Sequence, residues 1–270
     1  MQPRRDFSIE HRPLRAGDER FGTVGLVPWD SEIFGFGVAE HRPGDAALLA
    51  PDRGEWLGAL AAWAREHGVE LISLTAGAAQ RDVHALVAGS GFQAMDVTLQ
   101  ADLARVPAAT FPPPRFPFRP IDASDVDAAA ELASHAFVHD RFHTDPLVPE
   151  GLAGRRFAWW VRNAFAIRDA DNPVFVLGAP GEVRGFFHVV RRGTLGDLRL
   201  AAARPDAPFD GHDLFVNVMH ALRRMDVRRA TARFSAPNTA VMNVYAALGF
   251  RFAHPRITYH WHPARTPVRM

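Results

Sequence analysis

The sequence predicts a mixed α/β fold built from two similar halves. Along most of its 270 residues, short strand-like runs alternate with stretches that have the apolar period of an amphipathic helix. A proline-rich segment at 107–117 interrupts this pattern near the middle, and prolines exclude helix and favour an extended spacer. We therefore divide the chain into an N-terminal half at 1–106, a linker at 107–117 and a C-terminal half at 118–270.

The C-terminal half supplies a complete order of elements. A first strand leads through the cap residues Asp122 to Ser124 into two helices, which are followed by three strands, a loop, a helix, a strand, a short helix and a last strand. The predicted bounds are 118–121 for the first strand, about 137 for the end of the first helix and about 149–165 for the second, then 174–177, 184–191 and 195–202 for the three strands, 213–225 for the helix and 229–235 for the next strand. The short helix opens after Pro237 and Asn238 and ends at Gly249, and the last strand ends at about 262.

The short helix near the C-terminus has clear start and stop signals. Pro237 and Asn238 precede it and Gly249 follows it. Its apolar stripe falls at the spacing i, i+3, i+4, i+7 and consists of Val241, Val244, Tyr245 and Leu248. A single tyrosine hydroxyl is thus predicted on a buried stripe, where it is either a core side chain beside a capping asparagine or a reactive group.

A weak internal repeat relates the two halves. Gly91 and Gly249, each followed by phenylalanine, lie 158 residues apart, and at this offset a helix, a strand, a second helix and a final strand also coincide. Tyr245 then corresponds to Val87, and Asn238 corresponds to Gln80. We interpret the N-terminal half as a degenerate copy that builds substrate surface or supports the catalytic half.

The composition of the chain excludes several classes of function. A formal charge of +1 gives no electrostatic case for nucleic acid or for an anionic membrane. The chain has no cysteine, which excludes disulfides, thiol catalysis and thiolate metal sites and fits a reducing cytoplasm. Neither a signal peptide nor an apolar run of membrane-spanning length is present, so we expect a cytoplasmic protein.

The strand, Asn238, the short helix, Tyr245 and the Leu-Gly-Phe that follows resemble the C-terminal part of the GNAT acyl-CoA N-acyltransferase fold. The predicted order of elements over about 118–262 is the GNAT order. This resemblance implies transfer of an acetyl group from acetyl-CoA to an amine, with Asn238 contacting the CoA arm. It also implies that Tyr245 is the acid that protonates the departing thiolate; a phenol with a reference pKa near ~10 is protonated at neutral pH.

The same resemblance assigns the CoA-binding turn. Ala202, Ala203 and Arg204, followed later by Gly211 and His212, stand where the family binds the CoA pyrophosphate with backbone N–H groups and a helix start. Asp210 and Asp213 depart from the family pattern, because they place carboxylates where an anion would bind unless they point away as caps. The general base is less well specified: Asp197 is the candidate, and the alternative is a solvated residue at the strand edge.

Two further blocks resemble sugar-nucleotide N-acetyltransferases of this family. One is Trp-Asp-Ser-x-x-Phe-Gly at 29–35, and the other is Arg-Phe-x-x-Asp-Pro at 141–146 followed by Trp-x-x-Asn within 159–163. By resemblance, Arg141 would bind a phosphate or carboxylate of the acceptor and Asp145 its amine or hydroxyl. The alternative is a surface ion pair beside an Asp-Pro turn.

Histidines offer no convincing metal site. His135, His139 and His143 would align on one continuous helix, but Asp145 followed by proline predicts that the helix ends first, so we expect no metal. We expect His260 and His262, which alternate on the last strand, to lie on a solvated surface.

These observations predict an N-acetyltransferase that uses acetyl-CoA and acts on the primary amine of a small polar acceptor, most plausibly a nucleotide-linked amino sugar. One alternative is a catalytically inert GNAT-like protein that binds a ligand or a partner. Another is an acyltransferase for a different amine, such as an amino acid or a polyamine. A homodimer is compatible with the sequence.

Overall fold

A computed structural model describes residues 1–49, 53–206 and 211–263. Within these ranges eleven strands form one mixed sheet. The strands are β1 Arg12–Ala16, β2 Glu19–Leu26, β3 Gly37–Pro43, β4 Val69–Gly77, β5 Gln93–Leu103, β6 Phe118–Pro120, β7 Val174–Leu177, β8 Gly185–Arg192, β9 Leu195–Ala203, β10 Arg229–Ser235 and β11 Arg251–Trp261. The helices are α1 Pro28–Phe34, α2 Asp45–Leu49, α3 Arg53–Glu66, α4 Arg81–Val87, α5 Val126–Ala136, α6 Arg141–Thr144, α7 Leu152–Ala166, α8 Gly211–Arg224 and α9 Thr239–Ala247.

The two halves exchange their last strands. The sheet order is β1-β2-β3-β4-β11-β5-β10-β9-β8-β7-β6, so β11 lies between β4 and β5. β11 pairs antiparallel with β4, and β5 pairs antiparallel with β10. The final strand of each half therefore satisfies the backbone hydrogen bonds of a strand in the other half, which leaves no open sheet edge between them.

The elements related by the 158-residue offset occupy corresponding places. β4 pairs with β3 in parallel, and at the corresponding place β10 pairs with β9 in parallel. The apolar faces of α3 and α8 are buried at the aligned positions, which are Trp56, Leu57, Leu60 and Ala64 in α3 and Leu214, Phe215, Val218 and Leu222 in α8. Gln80 and Asn238 are the residues before α4 and α9. The division into 1–106 and 118–270 remains a proposal, since one sheet runs through both parts.

The predicted order of the C-terminal half agrees with the observed elements, with one addition. α6 at Arg141–Thr144 was not predicted; Asp140 caps it by accepting the Phe142 N–H at 2.9 Å. The linker also does more than space the halves: Phe111 is buried against α8, and the Arg223 guanidinium lies 4.5 Å from its ring centroid. None of the helices in the described ranges has both the length and the apolar character needed to cross a bilayer.

A gap opens where β9 and β10 diverge. Their parallel register ends at Leu198 on β9 and Ala232 on β10, although the strands continue to Ala203 and Ser235. A β-bulge at Arg199 contributes, because His188 on β8 pairs with Leu200 while Val189 pairs with Leu198. The extra residue changes the direction of β9 just where pairing with β10 stops.

Candidate active site

The gap between β9 and β10 is occupied by a cavity of about 370 Å³. Small side chains of β9, the start of α9, the segment before α6 and part of β5 surround it. The lining residues used below are Asp96, His139, Asp140, Ala201, Ala202, Ala203, Arg233, Ser235, Asn238 and Tyr245. The cavity thus receives residues from both halves of the chain.

Tyr245 is held by aromatic packing and not by its hydroxyl. Its ring meets Phe215 edge to face at 5.0 Å between centroids, and Phe250 and Phe234 lie at 4.8 and 5.5 Å. In the part of the chain that the structure describes, the hydroxyl makes no hydrogen bond. Burial, and then the negative charge of Asp197, raises the pKa of Tyr245 well above its ordinary value, so the phenol stays protonated.

Asn238 combines a structural contact with exposure to the cavity. Its Oδ1 accepts the N–H of Val241 at 3.1 Å and so caps α9. Its Nδ2 makes no hydrogen bond within the described ranges and is left as a donor at the cavity. The two interpretations of Asn238, a helix cap and a ligand contact, are therefore compatible.

The residues assigned to the CoA turn separate into two groups. Ala202 and Ala203 line the cavity, whereas the Arg204 guanidinium is paired with Asp206 at 2.7 and 2.8 Å on the surface. Gly211 is exposed at the start of α8, and a Cβ added there would meet nothing within 4 Å; His212 beside it is half-buried. The Pro208–Asp210 part of this loop lies outside the described residues.

The carboxylate of Asp213 has a cation beside it. Its side chain is buried, and one carboxylate oxygen lies 3.7 Å from the Arg115 guanidinium in the linker. This partial neutralisation weakens the electrostatic objection to a phosphate group near the start of α8.

Asp197, the candidate base, is committed elsewhere. Its carboxylate forms an ion pair with Arg199 at 2.8 Å, and it does not line the cavity. Asp197 acts on the site through its negative charge, which contributes to the raised pKa of Tyr245. The role of Asp197 as general base stays a prediction that the lining of this cavity does not support.

Asp96, a residue that the sequence interpretation missed, lines the cavity instead. It lies on β5, accepts a short hydrogen bond from the Ser235 hydroxyl, and forms no ion pair within the described ranges. Burial, only partly offset by the Ser235 hydroxyl, raises the pKa of Asp96. A signal existed in the sequence: polar residues alternate along both adjoining strands, at 96, 98, 100 and 102 on β5 and at 229, 231, 233 and 235 on β10.

Arg141 lies in a second cleft that adjoins the first. This cleft measures about 540 Å³ and shares Thr98 and Arg233 with the Tyr245 cavity. Four of its lining residues are arginines and two are acidic; they are Arg42, Arg141, Arg233, Arg256, Glu40 and Asp82. Arg256 makes no ion pair among the described residues, and burial together with the charge of Arg256 lowers the pKa of Arg233.

Asp145 is buried and unavailable to an acceptor. Its Oδ2 accepts hydrogen bonds from Nδ1 of His260 at 2.7 Å and Nε2 of His262 at 2.8 Å, and its Oδ1 accepts the Leu147 N–H. The expectation of a solvated surface for the two histidines was wrong, because the exchange of β11 carries them into the interior. Although burial opposes ionisation, these hydrogen bonds hold the pKa of Asp145 well below its usual range.

The three histidines at 135, 139 and 143, for which we expected no metal, lie on separate segments. His135 is on α5, His139 in the following loop and His143 on α6. The ligand atoms of Asp145, His260 and His262 do lie within 4.8 Å of one another. Hydrogen bonds to one shared carboxylate oxygen account for that arrangement without an ion.

Comparisons with known proteins agree with this geometry. No family model matches the chain. A dTDP-fucosamine acetyltransferase of Escherichia coli O6:H1 is 27% identical over 253 residues, which cover 92% of this chain and 98% of that protein. The similarity to this relative therefore extends along nearly the whole chain.

Solved structures share the fold. A GCN5-related N-acetyltransferase from Sphaerobacter thermophilus has a TM-score of 0.60 at 14% identity and covers 93% of this chain and 79% of its own. A tandem GNAT protein from the clavulanic acid biosynthesis pathway has a TM-score of 0.56 at 16% identity and covers 94% and 82%. The predicted α/β fold of the GNAT type is confirmed, and the fold together with the curated relative supports an acyltransferase enzyme.

Proposed function

We propose that this protein transfers an acetyl group from acetyl-CoA to the primary amine of a nucleotide-linked amino sugar. The observation that carries the proposal is the Tyr245 hydroxyl, which makes no hydrogen bond to the described protein and lies at a cavity between two diverging strands. A hydroxyl that opens on a cavity and is not engaged by the described protein is available to a ligand bound there.

The cavity is suited to the acyl end of acetyl-CoA. Ala201, Ala202 and Ala203 give it a narrow wall with small side chains, and beyond Leu198 the backbone of β9 has no strand partner on the β10 side. An extended pantetheine-like chain could therefore bind along β9 as a further strand would. Asn238 Nδ2 would donate to that chain, and the start of α8 near Gly211 and His212 would receive the phosphates.

Acetyl transfer requires that the amine and the thioester are held together and that one acid protonates the leaving thiolate. Holding amine and thioester together removes much of the entropic barrier, and an unpaired backbone N–H of β9 near Leu200–Ala202 would donate to the developing oxyanion. The thiolate that leaves takes the proton of Tyr245. Burial disfavours both the phenolate and the thiolate in this cavity, so the raised pKa of the tyrosine is matched by a more basic leaving group.

The arginine-lined cleft supports a nucleotide-linked acceptor. Three of its lining residues, Thr75, Gln80 and Val83, lie 158 residues before Arg233, Asn238 and Val241 of the catalytic cavity. It is thus the counterpart, in the N-terminal half, of the acyl-CoA cavity. Arg256 forms no ion pair in the described chain, and its positive charge repels that of Arg233. Both features favour the binding of an anion such as a diphosphate.

The contact between the two clefts also indicates where the sugar of the acceptor would lie. Because the two clefts meet at Thr98 and Arg233, a diphosphate in the arginine cleft could place its attached sugar towards Tyr245. A polyamine would place positive charge beside four arginines, which disfavours the alternative acceptor of that class. An inert binding protein would have no need to keep a hydroxyl at the bottom of the cavity.

Calorimetry and a thiol-release assay test the proposal. Acetyl-CoA should bind with measurable heat, and addition of dTDP-fucosamine should release free CoA thiol; the protein has no cysteine and contributes no background to a thiol reagent. No heat with millimolar acetyl-CoA would favour the inert alternative. CoA release with amino acids or polyamines, but not with dTDP-fucosamine, would favour the other class of acceptor.

A further inference from the structure

The strand exchange brings one carboxylate of the N-terminal half into the catalytic cavity. We propose that Asp96 binds the ammonium group of the acceptor and takes up its proton before acyl transfer. This inference rests on the proposed function, and it assigns to the half without Tyr245 a direct part in the reaction. Asp96 lies on β5, which pairs with β10 only because the last strands are exchanged.

The other carboxylates near the cavity are already engaged. Asp197 is paired with Arg199, and Asp140 accepts the Phe142 N–H and a short hydrogen bond from His143. Asp96 has only the neutral Ser235 hydroxyl as its side-chain partner within the described ranges. It is therefore the carboxylate that gains most from an incoming ammonium group.

The hydrogen bonds around Ser235 can be satisfied when Asp96 carries a proton. The Ser235 hydroxyl lies within hydrogen-bond distance of both a carboxylate oxygen of Asp96 and the carbonyl oxygen of His139, the latter at 2.5 Å. One hydroxyl has a single proton and cannot donate to both acceptors fully. When Asp96 is protonated it donates to Ser235 Oγ, and Ser235 donates to the His139 carbonyl, so every group is satisfied.

The step balances in protons and electrons. The ammonium N–H bond breaks, its electron pair stays on nitrogen as the nucleophilic lone pair, and the proton passes to the Asp96 carboxylate. The amine nitrogen then forms a bond to the thioester carbonyl carbon, the carbon–sulfur bond breaks, and the thiolate takes the Tyr245 proton. The second nitrogen proton restores Tyr245, and Asp96 releases its proton to solvent, so one proton is released for each turnover.

The charged and titratable groups that face Asp96 lie on α6, α9, β10 and β11 and in the loop before α6. Asp140 and Arg141 lie at the start of α6, Arg233 on β10 and Arg256 on β11, while His139 and Tyr245 face it across the cavity. Thr258, its cross-strand neighbour on β11, is uncharged. Burial and Asp140 raise the pKa of Asp96, whereas the Ser235 hydroxyl and Arg141 lower it, and the net direction is upward. A less acidic carboxyl is a better proton acceptor near neutral pH.

Asp96→Asn tests the assignment through the pH profile. With acetyl-CoA and dTDP-fucosamine, kcat at pH 7 should fall on the order of 100-fold or more. The residual rate should rise with pH up to the pKa of the amine, because only amine that is already neutral can react. Ser235→Ala should lower kcat less and leave the acidic limb of the profile in place. The matched control is Asp102→Asn on the same face of β5, where the carboxylate pairs with Arg229, and it should leave the rate and profile unchanged.

Two results for the Asp96→Asn enzyme would overturn the proposal. One is an Asp96→Asn enzyme with wild-type turnover; the other is a lowered kcat whose pH profile keeps the wild-type shape, which would mean a structural role. A wild-type enzyme that releases no CoA with dTDP-fucosamine counts against the proposed acceptor, and a second measurement then decides on Asp96. The ¹³C resonance of the Asp96 carboxyl should report proton uptake at a pH above the usual range of an aspartate, and proton uptake within or below that range would refute the assignment.

Discussion

Tyr245 shows how a residue can be placed by packing and used by its functional group. Three aromatic rings fix its orientation, and no protein hydrogen bond of the described chain competes for its hydroxyl. At its counterpart in the N-terminal half, Val87 fills a buried position without any hydroxyl. The side chain at this position therefore fills core volume in both halves, while a phenol oxygen that is available for chemistry is present in the C-terminal half.

Tyr245→Phe should separate these two roles. Removing only the oxygen leaves the aromatic packing intact, so the free energy of unfolding should change by less than about 0.5 kcal/mol. Turnover should fall by about 10²–10⁴-fold, because a general acid is lost. Urea unfolding and the CoA-release assay measure the two quantities, and calorimetry with acetyl-CoA checks that cofactor affinity is kept. Unchanged turnover would contradict the acid assignment.

At the scale of elements, the divergence of β9 from β10 creates the site. Pairing ends at Leu198, a bulge at Arg199 redirects β9, and the continuing strands leave a gap with Tyr245 beside it. The equivalent place between β3 and β4 is the arginine-lined cleft, where pairing ends at His41 and Leu74. One supersecondary arrangement thus supplies two neighbouring clefts with different chemistry.

Arg256→Ala tests the role of the second cleft. Loss of a charge-assisted hydrogen bond to a diphosphate, about 1.5–3 kcal/mol, should raise KM for dTDP-fucosamine roughly 10- to 100-fold. The value of kcat should change less than KM, since Arg256 is assigned to the diphosphate and not to the amine or the thioester. Arg251→Ala, an exposed arginine at the start of the same strand, is the matched control. Equal effects of the two substitutions on KM would exclude a specific phosphate contact.

At the scale of the whole molecule, strand exchange makes the halves interdependent. Without β11, the edges of β4 and β5 that face it would lose their backbone hydrogen-bond partners, and without β5 the same would hold for one edge of β10. Unpaired strand edges are costly when buried and promote aggregation when exposed. The catalytic half also loses Asp96 if the first half is removed.

Expression of the halves as fragments measures this interdependence. Fragments 1–106 and 118–270 should each be poorly soluble or unfolded alone, and should give a folded complex when coexpressed. Circular dichroism and size-exclusion chromatography are the measurements. A folded and soluble 118–270 fragment with full CoA-release activity would show that the halves are independent domains and that Asp96 is dispensable.

Three buried histidines predict an acid-sensitive fold. Burial lowers the pKa of His41, His188 and His260 to about 4. His41 is fixed in the neutral form, since it donates to the Thr23 carbonyl and accepts from Trp56 Nε1. An unfolded histidine has a pKa near ~6.5, so the unfolded chain takes up protons first as the pH falls.

Stability should therefore be full above about pH 6.5 and decline as the pH approaches about 4, by up to the order of 3 kcal/mol for each histidine. Urea unfolding at pH 7 and pH 5 measures the loss. His188→Gln should reduce the difference between the two pH values, while His67→Gln, at an exposed position, should not. A free energy of unfolding that is equal at both pH values would contradict the prediction.

The sequence by itself determined the local features. The proline and asparagine before α9, the glycine after it and its apolar stripe predicted the helix and the burial of Tyr245, which the structure confirms. The 158-residue offset predicted which segments of the halves correspond. Such signals are local because helix caps, turns and side-chain periodicity depend on residues close in the chain.

Only the tertiary structure decided which distant residues share a site. His260, His262 and Asp145 form a buried cluster, and Asp96 reaches the cavity of Tyr245, because β5 and β11 exchange places in the sheet. Alternating polar residues marked the face of β5, but periodicity does not state which strand lies beside which. Strand pairing depends on backbone hydrogen bonds between segments far apart in sequence, and any exposed edge could in principle satisfy them.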